Sequence, residues 1–528
     1  MSREPFKFST DPLSHQLSYF ERIHERDFFS NNWEQGLGKS KCCIDEVAWL
    51  YSKGLIDGLL VLAPNGVHAN WIDDEIPKHL HESVQRTTHT YYSQKSKTIK
   101  AKKSLQACID SKGLAVLVMS YDALMTADGH VAAKAFLTKR HAYYVADEST
   151  RIKNPTAQRT KRALASSKYA PYRRILSGTP VANGPFDVYS QMKFVDPDFW
   201  KKHGPFGSFG EFKNCFGVFR DSANPATGRL FKQCVGYRNL PYLRSLLKDD
   251  MERLLKKDVL DLPEKLYQRR YYEMSSAQKK LYDELETMAI AIHGDDMIDG
   301  TLPIVRMIRQ YQVLCGYLPT EDDSGDNLRL IGEKNPRLDC LFDALPDYSG
   351  KKIIWCKWTK DVDLIMDRAR KLKISAVRYD GEVPTFERRQ NLNDFRKDPS
   401  IELFVTKQSV AGEGLTIVEA TTSFYYSNDW PLGARLQSED RNHRIGQFNP
   451  VTYVDICALG TRDMDIVEAL QKKIEIASII LGDEAKAWIG NKYLLGQAQE
   501  NLSVEEESDT PWVSDADLYD QFFSKTRK

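Results

Sequence analysis

The chain has 528 residues, 41% of them hydrophobic and 28% charged, with a formal net charge of +1. That length and composition give about two to four folded domains, and bulk charge argues neither for nor against a nucleic-acid partner, which needs a local basic groove. No apolar run reaches membrane-span length, the start Met1-Ser-Arg-Glu-Pro5 lacks a signal-peptide core, and the nine cysteines include no Cys-x-x-Cys pair. The expectation is a protein off the membrane with reduced thiols and no structural metal. Its compartment is then cytosolic or nuclear.

Leu13, Leu17, Phe20 and Ile23 fall near a helical period, so residues 13–24 predict an amphipathic helix. The Gln16 amide carries both donor and acceptor and can read an adenine edge, or it can be a solvated helix residue. The stretch Trp33-Glu34-Gln35-Gly36-Leu37-Gly38-Lys39-Ser40 reads as a phosphate-binding loop. Gly36 and Gly38 permit positive φ and close backbone approach, and N–H groups around Leu37 and the following helix face an anion. Lys39 reaches the outer phosphates and Ser40 ligates Mg²⁺. The strict pattern has Gly where this chain has Trp33, and a Gly-rich turn before a helix is the competing reading.

A helix over Ser40–Ser52 follows, then buried strands at Gly58–Ala63, Leu114–Met119, Ala142–Ala146 and Arg174–Leu176. Strands alternating with helices predict a parallel α/β sheet, with function at the carboxyl ends of the strands. Asp147-Glu148 ends one strand. There a carboxylate can hold Mg²⁺ and its neighbour can polarise water, although a lone acidic pair is as often an exposed loop. Ser177-Gly178-Thr179 ends another strand. Residues 195–250 are aromatic- and glycine-rich and read as an irregular helical excursion. Leu243–Val259 shows a basic helix pattern, and Leu262-Pro263-Glu264 marks a linker.

The pattern then restarts. Helices are expected over Ser275–Ile292 and Leu302–Leu318, with a turn-rich break at 294–300. Strands follow at Lys352–Cys356, Ala376–Tyr379, Ile401–Val405, Ser423–Tyr426 and Val451–Ile456. Gly412 and Gly414 lie in a loop after a strand. Gln437 through Gln447 carries Arg441 and Arg444, three apart and on one face if helical. Two guanidiniums in fixed register can clamp phosphoryl oxygens, or they can be a solvated basic face. The expected domains are 1–250, with the excursion at about 195–250, a linker at 251–270, a second lobe at 271–485, and an acidic, aromatic tail at 486–528. The tail is read as disordered or as docking a protein partner.

These stretches together resemble the Swi/Snf-type branch of the superfamily-two helicase-like ATPases, from about Leu13 to about Leu481. Gln437-Ser-Glu-Asp-Arg-Asn-His-Arg-Ile-Gly-Gln447 is similar to that branch's sixth motif almost residue for residue. Ser177–Asn183, Asp147–Asn154 and Leu60–Pro64 with Asn70-Trp71 resemble its third, second and post-phosphate-loop motifs. The family's looser phosphate loop accommodates Trp33. The resemblance implies two RecA-like parallel-sheet lobes in tandem with helical insertions. It implies that ATP and Mg²⁺ are held by Gln16, Gly36, Leu37, Gly38, Lys39, Ser40 and Asp147. Glu148 then activates water, with Arg441 and Arg444 as fingers from the second lobe. Ser177, Gly178, Thr179, Gly412, Gly414 and Gln437 couple nucleotide state to DNA, and Ser120 and Tyr121 are candidate DNA contacts.

Two departures stand out: Ser149-Thr150 replaces Ala-His, and an expected Arg is missing near Gly412. The expectation is a small motor-only member, of viral or bacterial type and monomeric. Its task is to translocate on duplex or branched DNA and remodel it as the lobes close around ATP. An RNA helicase of the same superfamily and a DNA- or partner-binding module with a dead motor are the alternatives.

Overall fold

The computed structural model describes residues 5–223, 228–288, 290–293, 296–299, 302–319, 328–413 and 415–483. Gly414 and the tail at 486–528 lie outside the described residues. The chain forms two compact units. The first holds the described residues up to Val218, Tyr237–Asp261, and the segment from Ile476. The second holds Phe219–Gly236 and Leu262–Glu475.

Helix α1 (Ser14–Ile23) buries Gln16, Tyr19, Phe20 and Ile23. This corrects the expected face: Leu13 and Leu17 are 48% and 37% exposed. Tyr19, one residue before Phe20, meets Trp33 edge-on at 5.0 Å and draws the helix round by that contact. Strand β1 (Phe28–Asn31) leads through the glycine loop into helix α2 (Lys39–Ser52). Then come β2 (Gly58–Ala63), β3 (Arg86–Tyr91), β4 (Leu114–Ser120), β5 (Ala142–Asp147) and β6 (Tyr172–Leu176). β2 and β4 are buried at every position. Continuous apolar runs of this kind belong to strands covered on both faces.

The 195–250 excursion is only partly helical. Helices Phe199–His203 and Phe209–Phe216 are followed by strands β7 (Gly217–Ala223) and β8 (Leu230–Tyr237), which pair with each other, and by helix Leu240–Leu247. The helix expected over Leu243–Val259 is broken by β9 (Met251–Glu252), which pairs with β1, and resumes as the single turn Lys256–Val259. The first sheet runs β3-β4-β2-β5-β6-β1-β9, parallel throughout.

In the second unit, β10 (Lys265–Tyr272) occupies residues expected in the linker. The first helix ends at Thr287, not Ile292, and strands β11 (Ile290–His293) and β12 (Asp296–Asp299) pair across the expected break. β13 (Tyr317–Pro319) and β14 (Leu328–Leu330) form another pair. β15 (Lys351–Cys356), β16 (Ala376–Tyr379), β17 (Leu403–Lys407), β18 (Ala420–Tyr425) and β19 (Val451–Ala458) complete the elements of a sheet ordered β10-β19-β18-β15-β17-β16, again parallel. The chain is therefore α/β with two tandem parallel-sheet lobes, each with its own buried core.

Candidate active site

Register builds the site. Asn31 and Asp147 both pair with Leu176, so the ends of β1, β6 and β5 lie level and adjacent. The glycine loop, the Ser177-Gly178-Thr179 turn and the Asp147-Glu148 pair leave the sheet side by side. In parallel α/β sheets ligands bind beyond the strands' carboxyl ends.

In the loop, Gly36 and Gly38 both have φ of +84°, a left-handed conformation that favours glycine. Gly38 caps α2, so its turn aims the helix N-terminus at the site. A Cβ at Gly38 would overlap the Gln16 amide. That amide donates to the Leu37 carbonyl at 3.2 Å and accepts from Leu13 N–H at 3.0 Å, so buried Gln16 is fastened to the loop rather than solvated. Lys39 Nζ donates to the Trp33 and Glu34 carbonyls at 2.9 and 3.2 Å. Ser40 stands in the first turn of α2, half-buried. Trp33 is buried, with its indole N–H on Glu252 at 3.3 Å. Bulk in place of the expected glycine anchors the loop's start to α1 and β9.

Asp147 Oδ2 accepts the Trp71 indole N–H at 3.0 Å and Oδ1 accepts the Glu148 N–H at 3.0 Å. Burial pushes its carboxyl above the ordinary range, while the Trp71 hydrogen bond and the Lys39 charge pull it down. Glu148 has φ of +50°. This left-handed, non-glycine residue costs backbone energy of the kind that collects at functional positions. Its Oε1 accepts from Gln35 of the glycine loop at 3.1 Å. The donor set fits a phosphate-bound Mg²⁺: a serine hydroxyl, a buried carboxylate, and an ammonium for the anion. Among the described residues no cluster of three or more His, Cys, Asp or Glu could hold a metal. A metal ion carried on substrate phosphates through one or two side chains needs none.

Ser177 Oγ accepts the Thr179 N–H at 3.1 Å, closing the third turn. A Cβ at Gly178 would sit 3.0 Å from Gln35 Cγ, so this turn packs directly on the glycine loop. Ser149 replaces the family's alanine and makes a link of its own. Its hydroxyl donates to Gln191 Oε1 at 2.6 Å, and the Gln191 amide donates to the Pro180 carbonyl at 2.8 Å. The second and third turns are thereby joined through Gln191, whose type and position gave no sequence signal.

Ser120 and Tyr121 are corrected. Both are buried. Ser120 accepts from Ala123 N–H as a helix cap, and the Tyr121 hydroxyl donates to the Asp147 carbonyl at 2.7 Å. Tyr121 thus braces the acidic turn and Ser120 caps the next helix, both away from the surface that a DNA contact needs.

In the second unit, Gln437 lies in helix Leu432–Glu439, half-buried. Arg441 and Arg444 lie past the end of that helix, in a turn. They meet all the same: Arg441 Nη1 and Arg444 Nη1 approach the Leu415 carbonyl at 3.2 and 3.5 Å, and Arg444 also donates to Thr416 Oγ1 at 2.7 Å. Burial lowers the Arg444 pKa from its ordinary value. Gln447 staples the turn, its amide on the Val418 carbonyl at 2.9 Å and its oxygen accepting Phe448 and Asn449 N–H groups at 3.1 Å. Gly412 falls in the short helical turn Gln408–Glu413 that follows β17.

Known proteins bear on this arrangement. The chain is 25% identical over 517 residues to the ATP-dependent DNA helicase DDM1 of Arabidopsis thaliana, covering 92% of this chain and 64% of that protein. It is 26% identical over 455 residues to the DNA annealing helicase and endonuclease ZRANB3 of Mus musculus, covering 85% of this chain and 38% of that one. It thus spans under two thirds of either relative's length. A solved structure, the Sulfolobus solfataricus SWI2/SNF2 ATPase core in complex with dsDNA, is similar over 96% of this chain and 100% of that chain at 20% identity and a TM-score of 0.38. No described helix is long and apolar enough to cross a membrane. The model of the SNF2-related domain matches residues 33–312, more than half of the chain, and that of the helicase conserved C-terminal domain matches residues 333–446. With a glycine loop, an acidic pair and a Ser-Gly-Thr turn on adjacent strand ends, the chain belongs to the SNF2-related family.

Proposed function

We propose that the protein is a DNA-stimulated ATPase that translocates on duplex or branched DNA and remodels forks or branch points. The observation that carries the reading is that the glycine loop leading to Lys39, the Asp147-Glu148 pair and the Ser177-Gly178-Thr179 turn leave three adjacent, level strand ends. Gly36, Leu37, Gly38 and Lys39 bind the phosphates, and Gln16 borders the base. Ser40 and Asp147 hold Mg²⁺, which when bound neutralises phosphate charge. Glu148 orients and deprotonates the attacking water. Arg441 and Arg444 offset charge in the transition state, a role worth about 10³–10⁵ in rate for finger arginines. The Ser149–Gln191–Pro180 link carries the state of the acidic turn to the Ser-Gly-Thr turn. Gln437, Gly412 and Gly414 belong to the corresponding coupling elements of the second lobe.

The names of the relatives support the DNA reading, DDM1 as a DNA helicase and ZRANB3 as an annealing helicase. The test is the ATPase rate without nucleic acid and with single-stranded DNA, duplex, a branched junction and RNA. Stimulation by duplex or junction supports the proposal, and the better of the two names the task. Stimulation by RNA alone replaces it with an RNA helicase, and no stimulation by any nucleic acid overturns it.

A further inference from the structure

Arg253 was not among the residues expected to matter. It lies just after β9, and its Nη1 donates to the Asn32 carbonyl at 2.8 Å and to the Gly178 carbonyl at 3.0 Å. Asn32 is the first residue beyond β1 and precedes the glycine loop, while Gly178 is the centre of the Ser-Gly-Thr turn. One nitrogen therefore ties the two turns together where they leave the sheet. The other edge of the guanidinium faces Asp483, with Nε and Nη2 each 3.1 Å from Oδ2. Both side chains are nearly buried, 13% and 10% exposed. Asp483 follows helix Arg462–Leu481, whose Ala477 and Ile480 sit in the core of the first unit. Gly482, with φ of +78°, turns the chain to place it.

The consequence falls on Lys39. Its ammonium is held by the Trp33 and Glu34 carbonyls, the two that follow Asn32. The loop backbone is also laddered onto the Arg253 segment, Asn32 N–H to the Glu252 carbonyl and Glu34 N–H to the Leu254 carbonyl, both at 2.9 Å. Consecutive peptides turn together, so a tilt at Asn32 moves the carbonyls that aim Lys39. We propose that Arg253 is a positioning residue for ATP: it locks the glycine loop and the Ser-Gly-Thr turn in one register, and Asp483 fixes its fork. A planar fork can grip two carbonyls and a carboxylate at once; a lysine cannot.

Three variants of the full chain test this by KM and kcat for ATP, equilibrium nucleotide binding and thermal melting. R253K keeps the cation and loses the fork. We expect its KM and its nucleotide dissociation constant to rise about tenfold, the equivalent of one charge-assisted hydrogen bond, with kcat within about twofold. D483N keeps the carbonyl bonds and loses the charge that orients them, so KM rises about threefold. The charge swap R253D/D483R restores attraction to Asp483's position, but a carboxylate at 253 cannot donate to carbonyls. It should recover melting temperature and leave KM high. Wild-type KM in R253K, or recovery of both melting temperature and KM in the swap, overturns the proposal and leaves a plain structural ion pair. If the swap fails to fold, R253K and D483N decide: raised KM with kcat held supports positioning whatever the melting temperature, and kcat and KM failing together with melting temperature overturns it.

Discussion

The two units share a plan and differ in how they hold their chemistry. In the first, the glycine loop, the Asp147-Glu148 pair and the Ser177-Gly178-Thr179 turn leave adjacent strand ends, and neighbouring strands fix their spacing. Asp147 is held by Trp71, Glu148 by Gln35, and Lys39 by its own loop. In the second, Arg441 and Arg444 sit on a turn beyond a helix and are gathered by one carbonyl, that of Leu415. The Leu415 segment follows Gly414 and the turn Gln408–Glu413, which begins where β17 ends. A sheet-anchored site suits groups that must keep one geometry around a phosphate chain. A turn anchored on a neighbouring loop suits groups whose placement follows nucleotide state. The difference predicts that the first unit's glycine loop governs binding, while the second unit's arginines govern turnover.

The largest effects break or keep that division. Arg441→Ala or Arg444→Ala should lower kcat by about 10³–10⁵ while leaving ATP binding intact. Lys39→Ala should lose ATP binding itself. Steady-state rates beside an equilibrium nucleotide titration separate the two, and equal loss of binding in the arginine variants would erase the distinction.

Stability gives the next test, because each unit has a fully buried ion pair. Arg174 donates to Glu46 at 2.6 Å through Nη2 in the first. Arg435 spans Glu439 at 2.9 Å and Asp455 at 2.6 Å in the second, its guanidinium 3.4 Å from the centre of the Tyr425 ring. Removing one member of a buried pair costs about 3–5 kcal/mol, because the abandoned charge stays buried. Arg174→Met and Arg435→Met should both fall in that range by urea denaturation. Arg435 belongs at its upper end, because Asp455 loses its cation and Glu439 loses one ion-pair partner, keeping Lys265.

The same contrast explains what the sequence revealed. β2, β4 and β5 are unbroken apolar runs and were legible as buried strands, as were Gly36, Gly38 and Asp147-Glu148 at strand ends. β1, four residues of Phe-Phe-Ser-Asn, and β3, Arg-Thr-Thr-His-Thr-Tyr, were not. One is too short and the other too polar for its burial to show in composition, and both are strands through pairing with distant segments. The break after Leu247 was missed for the same reason, since β9 exists by pairing with β1. Arg441 and Arg444 were found by resemblance to a motif, and their meeting at Leu415 depends on a loop far away in sequence. Gln191 and Arg253 act largely through hydrogen bonds to backbone carbonyls distant in sequence, and no residue pattern encodes those.

Two smaller effects sharpen the account of the first unit. Gly36 and Gly38 share a φ of +84°, so alanine strains each backbone by about 1–2 kcal/mol. A Cβ at Gly36 meets only Lys256 Cε at 4.0 Å, an ordinary contact. At Gly38 it displaces Gln16 and loses the Leu37 bond, adding about 1 kcal/mol. Gly38→Ala should therefore be the less stable and raise KM for ATP further than Gly36→Ala.

The smallest expected effect is a pH dependence next to Asp147. Glu75 closes the turn Trp71–Glu75 that brings the indole to Asp147. Burial first, then the charges of Asp74 and Asp147, push its carboxyl from an ordinary 4.5 up to about 7. Between those values the folded state binds more protons than the unfolded, so this group lowers stability as pH rises through the window and keeps it lower above. His79 lies 3.9 Å from Glu75 and is pushed by burial from 6.5 down to about 4. It binds fewer protons when folded and so raises stability as pH climbs from 4 to 6.5. Wild type should then be nearly flat where the windows overlap and lose stability only approaching pH 7. Glu75→Gln removes one term and exposes the other: melting temperature should rise with pH from 4 to 6.5 and then level off. A flat profile in that variant would mean that the His79 shift is absent, and a flat wild type beside it would remove the Glu75 shift as well.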